Sequence, residues 1–301
     1  MKKFVLAFAA IAAAVSAHAA QPKNAAVGAS VQQAQVSSSS AIVPSAEPIE
    51  SAKPVVVPPA PVSLKLSKPD SAKIYAGLTS YRETYQEFEA GDKLMQEVAT
   101  MKGAFIGVTK ELQNNAAVRA ELTLARGDSE YTGAYWGGQY GDLVINDLSR
   151  RMVGLYGEYS QTSPMWNGVT ASAGLGYRQL TDHLEEGGPG GYKRVNDRIY
   201  ATVGLKRDFK LDDKWTLTPR VQYKQIVYSE QYSDLMGGIT VEQKGHGAEY
   251  AMDLAYRAGD CNLTVSPFVR TWNVKASNVV NGMYEPKNDT REVGLSLSVA
   301  F

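Results

Sequence analysis

Across 301 residues, 31 Lys and Arg are matched by 31 Asp and Glu, and no basic stripe or excess is available to hold a nucleic-acid backbone. Beyond the N-terminal segment there is no apolar run of about 18 residues, which excludes a spanning helix. The single cysteine, Cys261, excludes an internal disulfide, so packing and hydrogen bonds alone hold the fold.

In chain order, Lys2 and Lys3 precede an apolar run from Phe4 to Val15, and Ala17-His18-Ala19 supplies a small-x-small cleavage pattern. Residues 1–19 therefore read as a signal peptide, with the mature chain starting near Ala20. The alternative, a retained anchor, suffers from an apolar run too short to cross a bilayer. No Cys stands near the cleavage point to carry a lipid. Two of the 31 basic side chains leave with the signal, so 29 face 31 acidic ones.

Residues 20–67 are rich in Ala, Ser, Gln, Val and Pro, with Ser37 to Ser40 consecutive and Pro54, Pro58, Pro59 and Pro61 near the end. With no aromatic residue, the segment cannot bury enough apolar surface to offset its ordering entropy, and it reads as a disordered linker. Its proline-rich end favours extended geometry, suited to an arm reaching a periplasmic or cell-wall partner.

From Lys68 the composition changes: all 17 tyrosines and all 4 tryptophans lie beyond this point. Apolar residues now alternate with small or polar ones, the period of half-buried strands. Segments centre on Ala76, Ile106, Leu122 and Leu155. Next, Val169, Ala171, Ala173, Leu175 and Tyr177 oppose Thr170, Ser172, Gly174, Gly176 and Arg178. The pattern recurs over 198–205, 215–224, 249–256 and 263–270. It ends with Val293, Leu295, Leu297, Val299 and Phe301 opposing Glu292, Gly294, Ser296, Ser298 and Ala300. Ten strands result; contributions from 131–145 and 238–243 would raise the count to twelve.

The connections alternate in length. Short ones fall at Gln113 to Asn115, Gln161 to Gly168, Lys210 to Asp213 and Ala258 to Asp260, and long ones at 84–99, 127–148, 181–194, 229–246 and 275–289. Short periplasmic turns alternating with long external loops are the mark of a transmembrane antiparallel up-and-down β-barrel. Tyr159, Trp166, Phe209, Trp215, Tyr256 and Phe301 fall beside the short turns, as an interfacial girdle requires.

With these features in place, residues 68–301 resemble the Gram-negative outer-membrane β-barrel proteins as a class. The terminal Leu295-Ser296-Leu297-Ser298-Val299-Ala300-Phe301 looks like the signal that the outer-membrane assembly machinery reads. The resemblance implies outer-membrane lipid and that machinery as partners, with the N-terminal arm and C-terminus periplasmic.

Assigning the alternate faces sends a basic wall inward, comprising Arg178, Arg198, Lys206, Arg220, Lys224 and Arg270, with Arg119 nearby. The inward acids are Glu121, Glu158, Glu249, Asp253 and Glu292. Buried charges must pair or stay wet. The first reading is that they stay wet, with Gly174, Gly176 and Gly204 leaving room, and line a narrow porin-like channel with preference for small anionic solutes. If paired, they close the lumen, and the protein is a structural or ligand-binding surface barrel. The aromatic loops carrying Tyr131, Tyr135, Trp136, Tyr140, Tyr232 and Tyr284 suit that second role.

A third reading, a surface protease or lipid-modifying enzyme, would draw on Asp182-His183, Asp234 or His246. No spacing fixes them as a catalytic set or metal site. No catalytic residue, metal or cofactor is assigned, and the expectation is non-enzymatic.

Overall fold

The computed structural model describes residues 72–135 and 138–301. The signal and linker segments, and Trp136, lie outside them. Ten long strands form the wall: β1 (Ala72–Glu89), β2 (Asp92–Glu111), β3 (Ala116–Gly133), β4 (Leu143–Ser163), β5 (Val169–His183), β6 (Lys193–Arg207), β8 (Trp215–Ser233), β10 (Gly245–Ala258), β11 (Cys261–Val274) and β12 (Lys287–Ala300). Two short strands, β7 (Phe209–Lys210) and β9 (Ile239–Glu242), pair only with β8. Neither widens the barrel, so its wall has ten strands.

Each long strand pairs antiparallel with the next, and β12 returns to β1 in register from Tyr75↔Ala300 to Phe88↔Lys287. Closure leaves the wall without an edge, so the ladder satisfies its backbone groups internally, the condition for a sheet to sit in hydrocarbon. No described helix is long and apolar enough to cross a membrane.

One end of the barrel holds Ala72, Phe301 and the turns at 112–115, 164–168, 208–214 and 259–260; we call it the terminal end. The opposite, loop end differs from the sequence expectation. Residues 84–99 form no long loop: β1 and β2 run through them and meet at Ala90-Gly91, both with positive φ. β3 and β4 also take up 127–133 and 143–148, whereas β5 and β6 enter 181–194 only at its two ends, over 181–183 and 193–194. The strands thus extend well past the apolar stretch that made them legible.

The outer wall carries Leu78, Ile106, Leu122, Leu175, Val203, Val265 and Leu297, with Leu78 65% exposed. This apolar band is bordered at the terminal end by exposed Tyr159, Trp166, Phe209, Trp215 and Phe301. Tyr256 packs on Trp215 at 4.8 Å. Apolar side chains meeting solvent over a whole surface are unfavourable in water and favourable in lipid.

Two apolar clusters lie inside. Tyr81, Ala99, Met101, Met152, Leu180 and Phe268 form one, and Tyr200, Ile226, Trp272 and Val274 the other. Ile226 faces inward on the same alternation as Lys224, and β8 bulges just after it: Tyr200 pairs with Ile226 but Ile199 pairs with Tyr228. The bulge leaves Val227 and Tyr228 both on the outer side, and beyond it the inward positions of β8 are odd (Ser229, Gln231) where before it they are even.

Candidate functional site

The inward faces divide the interior into two media. At the loop end it is filled by charge. Arg150 on β4 is 1% exposed; its Nε donates to Glu83 at 2.7 Å and its Nη1 reaches Glu97 at 2.6 Å and Asp182 as well. Arg194 on β6, fully buried, donates from Nη1 to Glu87 at 2.6 Å, from Nη2 to Glu97 at 3.1 Å and from Nε to Asp182 at 2.9 Å. Its Nη1 also lies 3.5 Å from Glu285, on the 275–286 connection. Tyr85 Oη donates to Glu87 at 2.8 Å, and Ser129 Oγ to Glu97 at 2.7 Å. Carboxylates from β1, β2, β5 and the last connection thus converge on two guanidiniums.

Most of these residues were missed as inward charges at the sequence level because Glu87, Glu97, Asp182, Arg194 and Glu285 fall in stretches read as loops, with Glu83 and Arg150 one and two residues outside them. The signal was present but unreadable from hydropathy: Glu83, Tyr85 and Glu87 alternate with Arg82, Thr84 and Gln86, so both faces are polar.

The inward charges expected from sequence connect to this cluster. Arg178 Nη2 bridges Glu83 at 2.7 Å and Glu292 at 3.1 Å. Arg270 bridges Glu249 at 2.8 Å and Glu292 at 2.5 Å. Arg220 meets Glu249 at 2.7 Å and Asp253 at 3.4 Å, and Lys224 Nζ meets Glu249 at 2.7 Å. Bridges from β5 to β1 and β12 cross the lumen. Arg198 is 1% exposed, 5.9 Å from the Trp272 ring, and its Nε and Nη1 have no hydrogen-bond partner among the described residues.

Towards the terminal end lies a cavity of about 380 Å³ lined by Arg119, Glu121, Glu158, Lys206, Ser172 and Gly204. Arg119 pairs with Glu121 and donates from Nε to Tyr75 Oη at 2.6 Å; Tyr156 Oη donates to Glu158 at 2.8 Å. Not every inward glycine leaves open space. A Cβ on Gly176 would stand 2.2 Å from the Tyr200 ring, so that glycine makes room for the tyrosine.

At the rim, Asp182 and His183 do not act as a pair. They point to opposite faces: Asp182 enters the buried cluster, while His183 Nδ1 lies 2.7 Å from Glu185 Oε1. Asp234 accepts the Lys193 N–H at 2.7 Å, and His246 stacks on Tyr223 with centroids 6.0 Å apart. Tyr135, Tyr140, Tyr232 and Tyr284 are exposed, with Lys93 Nζ 4.3 Å from the Tyr140 ring centre; Tyr131 is half-buried. A rim pocket of about 460 Å³ is lined by Phe88, Tyr284, Pro286, Lys287 and Asp289.

No protein-family model and no curated protein sequence matches the chain. Among solved structures it is similar to the outer membrane protease OmpT from Escherichia coli, at 14% identity and TM-score 0.52, over 79% of this chain and 98% of that one. It is also similar to Neisserial surface protein A (12% identity, TM-score 0.35, 77% and 100% covered). A third is OprG from Pseudomonas aeruginosa (11% identity, TM-score 0.34, 76% and 95% covered). The architecture and the OmpT likeness agree on the fold: a closed antiparallel β-barrel of the Gram-negative outer-membrane type.

Proposed function

We propose that the protein is an integral outer-membrane barrel with a lumen sealed by ion pairs, non-enzymatic, and acting as a structural or ligand-binding barrel through its loop end. The loop end faces outward and both termini face the periplasm. The apolar outer band, the girdle beside the short turns and the terminal Phe301 support the membrane placement.

The observation that carries the sealed-lumen reading is the pairing of Arg150 and Arg194 with Glu83, Glu87, Glu97 and Asp182, all one-tenth exposed or less. A barrel near eight strands is just filled by side chains, and here the filling is paired charge. The exposed rim tyrosines and the rim pocket supply a binding surface of the amphipathic kind that recognition sites use.

The terminal-end cavity favours a second reading, a narrow channel with preference for small anionic solutes. It requires the Arg150–Arg194 cluster to part. Planar-bilayer recording of the refolded protein separates the two. Silence is expected for a sealed barrel. Sustained steps whose ion selectivity changes in Arg198→Ala or Arg220→Ala would replace this reading with the channel.

A further inference from the structure

Outside the lumen, one set of charges remains unused by the interior network. Lys102, Arg126 and Arg151 are exposed, while their chain neighbours Met101, Ala125 and Met152 are buried, so the three cations point away from the lumen. Lys102 pairs directly across the ladder with Arg126, and Arg126 with Arg151. Arg82 on β1 lies opposite Thr100, two residues from Lys102, and Arg291 on β12 lies opposite Thr84, two residues from Arg82. Five cations on β12, β1, β2, β3 and β4 are therefore direct or diagonal neighbours.

Like charges placed directly opposite one another on a sheet repel. The arrangement is unfavourable by itself and becomes favourable when an anion lies between the side chains. Its position names the anion. On β2, β3, β4 and β12 the next outward residues towards the terminal end are apolar, Ala104 and Ile106, Leu124 and Leu122, Val153 and Leu155, Val293 and Leu295, while on β1 Ser80 precedes Leu78. The row therefore stands at the edge of the apolar band, where headgroups lie. Asp128 and Glu186, the latter accepting the Ser149 N–H at 2.7 Å, stand on the loop side of the row, leaving its band side uncompensated. Elsewhere on the wall the sign reverses: Asp197, Glu230 and Glu242 form a cross-strand row on β6, β8 and β9.

We propose that the outward face of β12 and β1–β4 is a binding site for phosphate-bearing lipid headgroups of the leaflet surrounding the loop end. The inference rests on the membrane reading above. Arginine forks take phosphate oxygens two at a time, and the acyl chains of the same molecule lie against the apolar residues below. One amphiphile thus satisfies both halves of the surface, which a soluble anion does not.

The test uses the full chain refolded in phosphatidylcholine bilayers with increasing phosphatidylglycerol, reading the melting transition and the lipid retained by native mass spectrometry. Anionic lipid is expected to raise the transition and remain bound. Combined Lys102→Ala, Arg126→Ala and Arg151→Ala removes most of both effects, Arg126→Lys with Arg151→Lys keeps most of them, and Glu230→Gln leaves them unchanged. Equal stabilisation of the triple alanine variant would overturn the site. Equal stabilisation by inorganic phosphate alone would overturn the lipid assignment. A protein that enters bilayers but shows no phosphatidylglycerol preference loses the site only, whereas one that enters no bilayer loses the membrane reading and the site together.

Discussion

The two halves of the barrel interior share one wall and solve the problem of inward charge in opposite ways. At the terminal end, Arg119 and Glu121 retain 33% and 17% side-chain exposure beside an open cavity. At the loop end, Arg150, Arg194, Glu97 and Asp182 retain at most 1%. A pair beside an open cavity keeps part of its hydration and contributes less than its distance suggests. In the dry cluster each guanidinium meets three or more acids, although Arg150 Nη2 has no hydrogen-bond partner among the described residues, and removing one member strands the rest. Sensitivity to loss of a single charge is therefore concentrated where the sheet rises beyond the apolar band.

The sharpest way to break that comparison is to remove one guanidinium from each half. Arg150→Ala leaves Glu83, Glu97 and Asp182 short of a partner and is expected to cost about 3–5 kcal/mol. Arg119→Ala is expected to cost about 1 kcal/mol or less. Urea unfolding of the refolded barrel measures both, and similar losses would contradict the division into dry and wet halves.

The outer wall allows a parallel contrast. Ile106→Arg places a charge in the apolar band and is expected to cost about 2–4 kcal/mol near its middle. Val195→Arg, outward on β6 above the band, should stay within about 0.5 kcal/mol. An Ile106→Arg barrel as stable as the parent would remove the case for lipid around this face.

A smaller effect is expected at Gly176, on the boundary between the two halves. Gly176→Ala pushes the Tyr200 ring from its place and should cost about 1–3 kcal/mol. Repacking of that ring is visible in near-ultraviolet dichroism, and an unchanged spectrum with unchanged stability would deny the close packing.

The smallest effect concerns the 275–286 connection. Burial, and then the neighbouring Glu87, hold the Glu285 carboxyl well above the ordinary carboxylate range. The folded protein thus binds a proton that the unfolded chain releases at lower pH. Its contribution is complete below the ordinary carboxylate pKa and declines as pH rises through the folded value. Tyr85, Arg194 and Glu87 face this group. Hydrogen exchange in 275–286 is expected to quicken with rising pH beyond the intrinsic dependence, and Glu285→Gln to abolish the excess.

Legibility of the fold followed the surroundings of each strand. Where one face meets an apolar medium and the other the lumen, alternation is strong, as from Val169 to Arg178 and from Glu292 to Phe301. Arg178, Arg220, Lys224, Glu249, Arg270 and Glu292 could be placed inward on that pattern alone. Above the apolar band both faces of the wall are polar, hydropathy loses its period of two, and the same strands resemble loops. The Ala90-Gly91 hairpin compounds this, because alanine at a positive-φ turn position carries none of the Asn-Gly signal that usually marks such a turn. The bulge at Val227 escaped as well, since a one-residue slip exchanges faces without altering composition.

What the sequence determined by itself was a closed barrel of ten or twelve strands, its apolar outer band and the side to which most charges in that band point. All of these follow from local alternation and from the need to satisfy a backbone in lipid. Which charges meet was decided only by the tertiary structure. Arg150 finds Glu83, and Arg194 finds Glu87, because closure of β12 onto β1 brings distant strands across a narrow lumen. That proximity is a property of circumference and stagger, and no local stretch of chain encodes it.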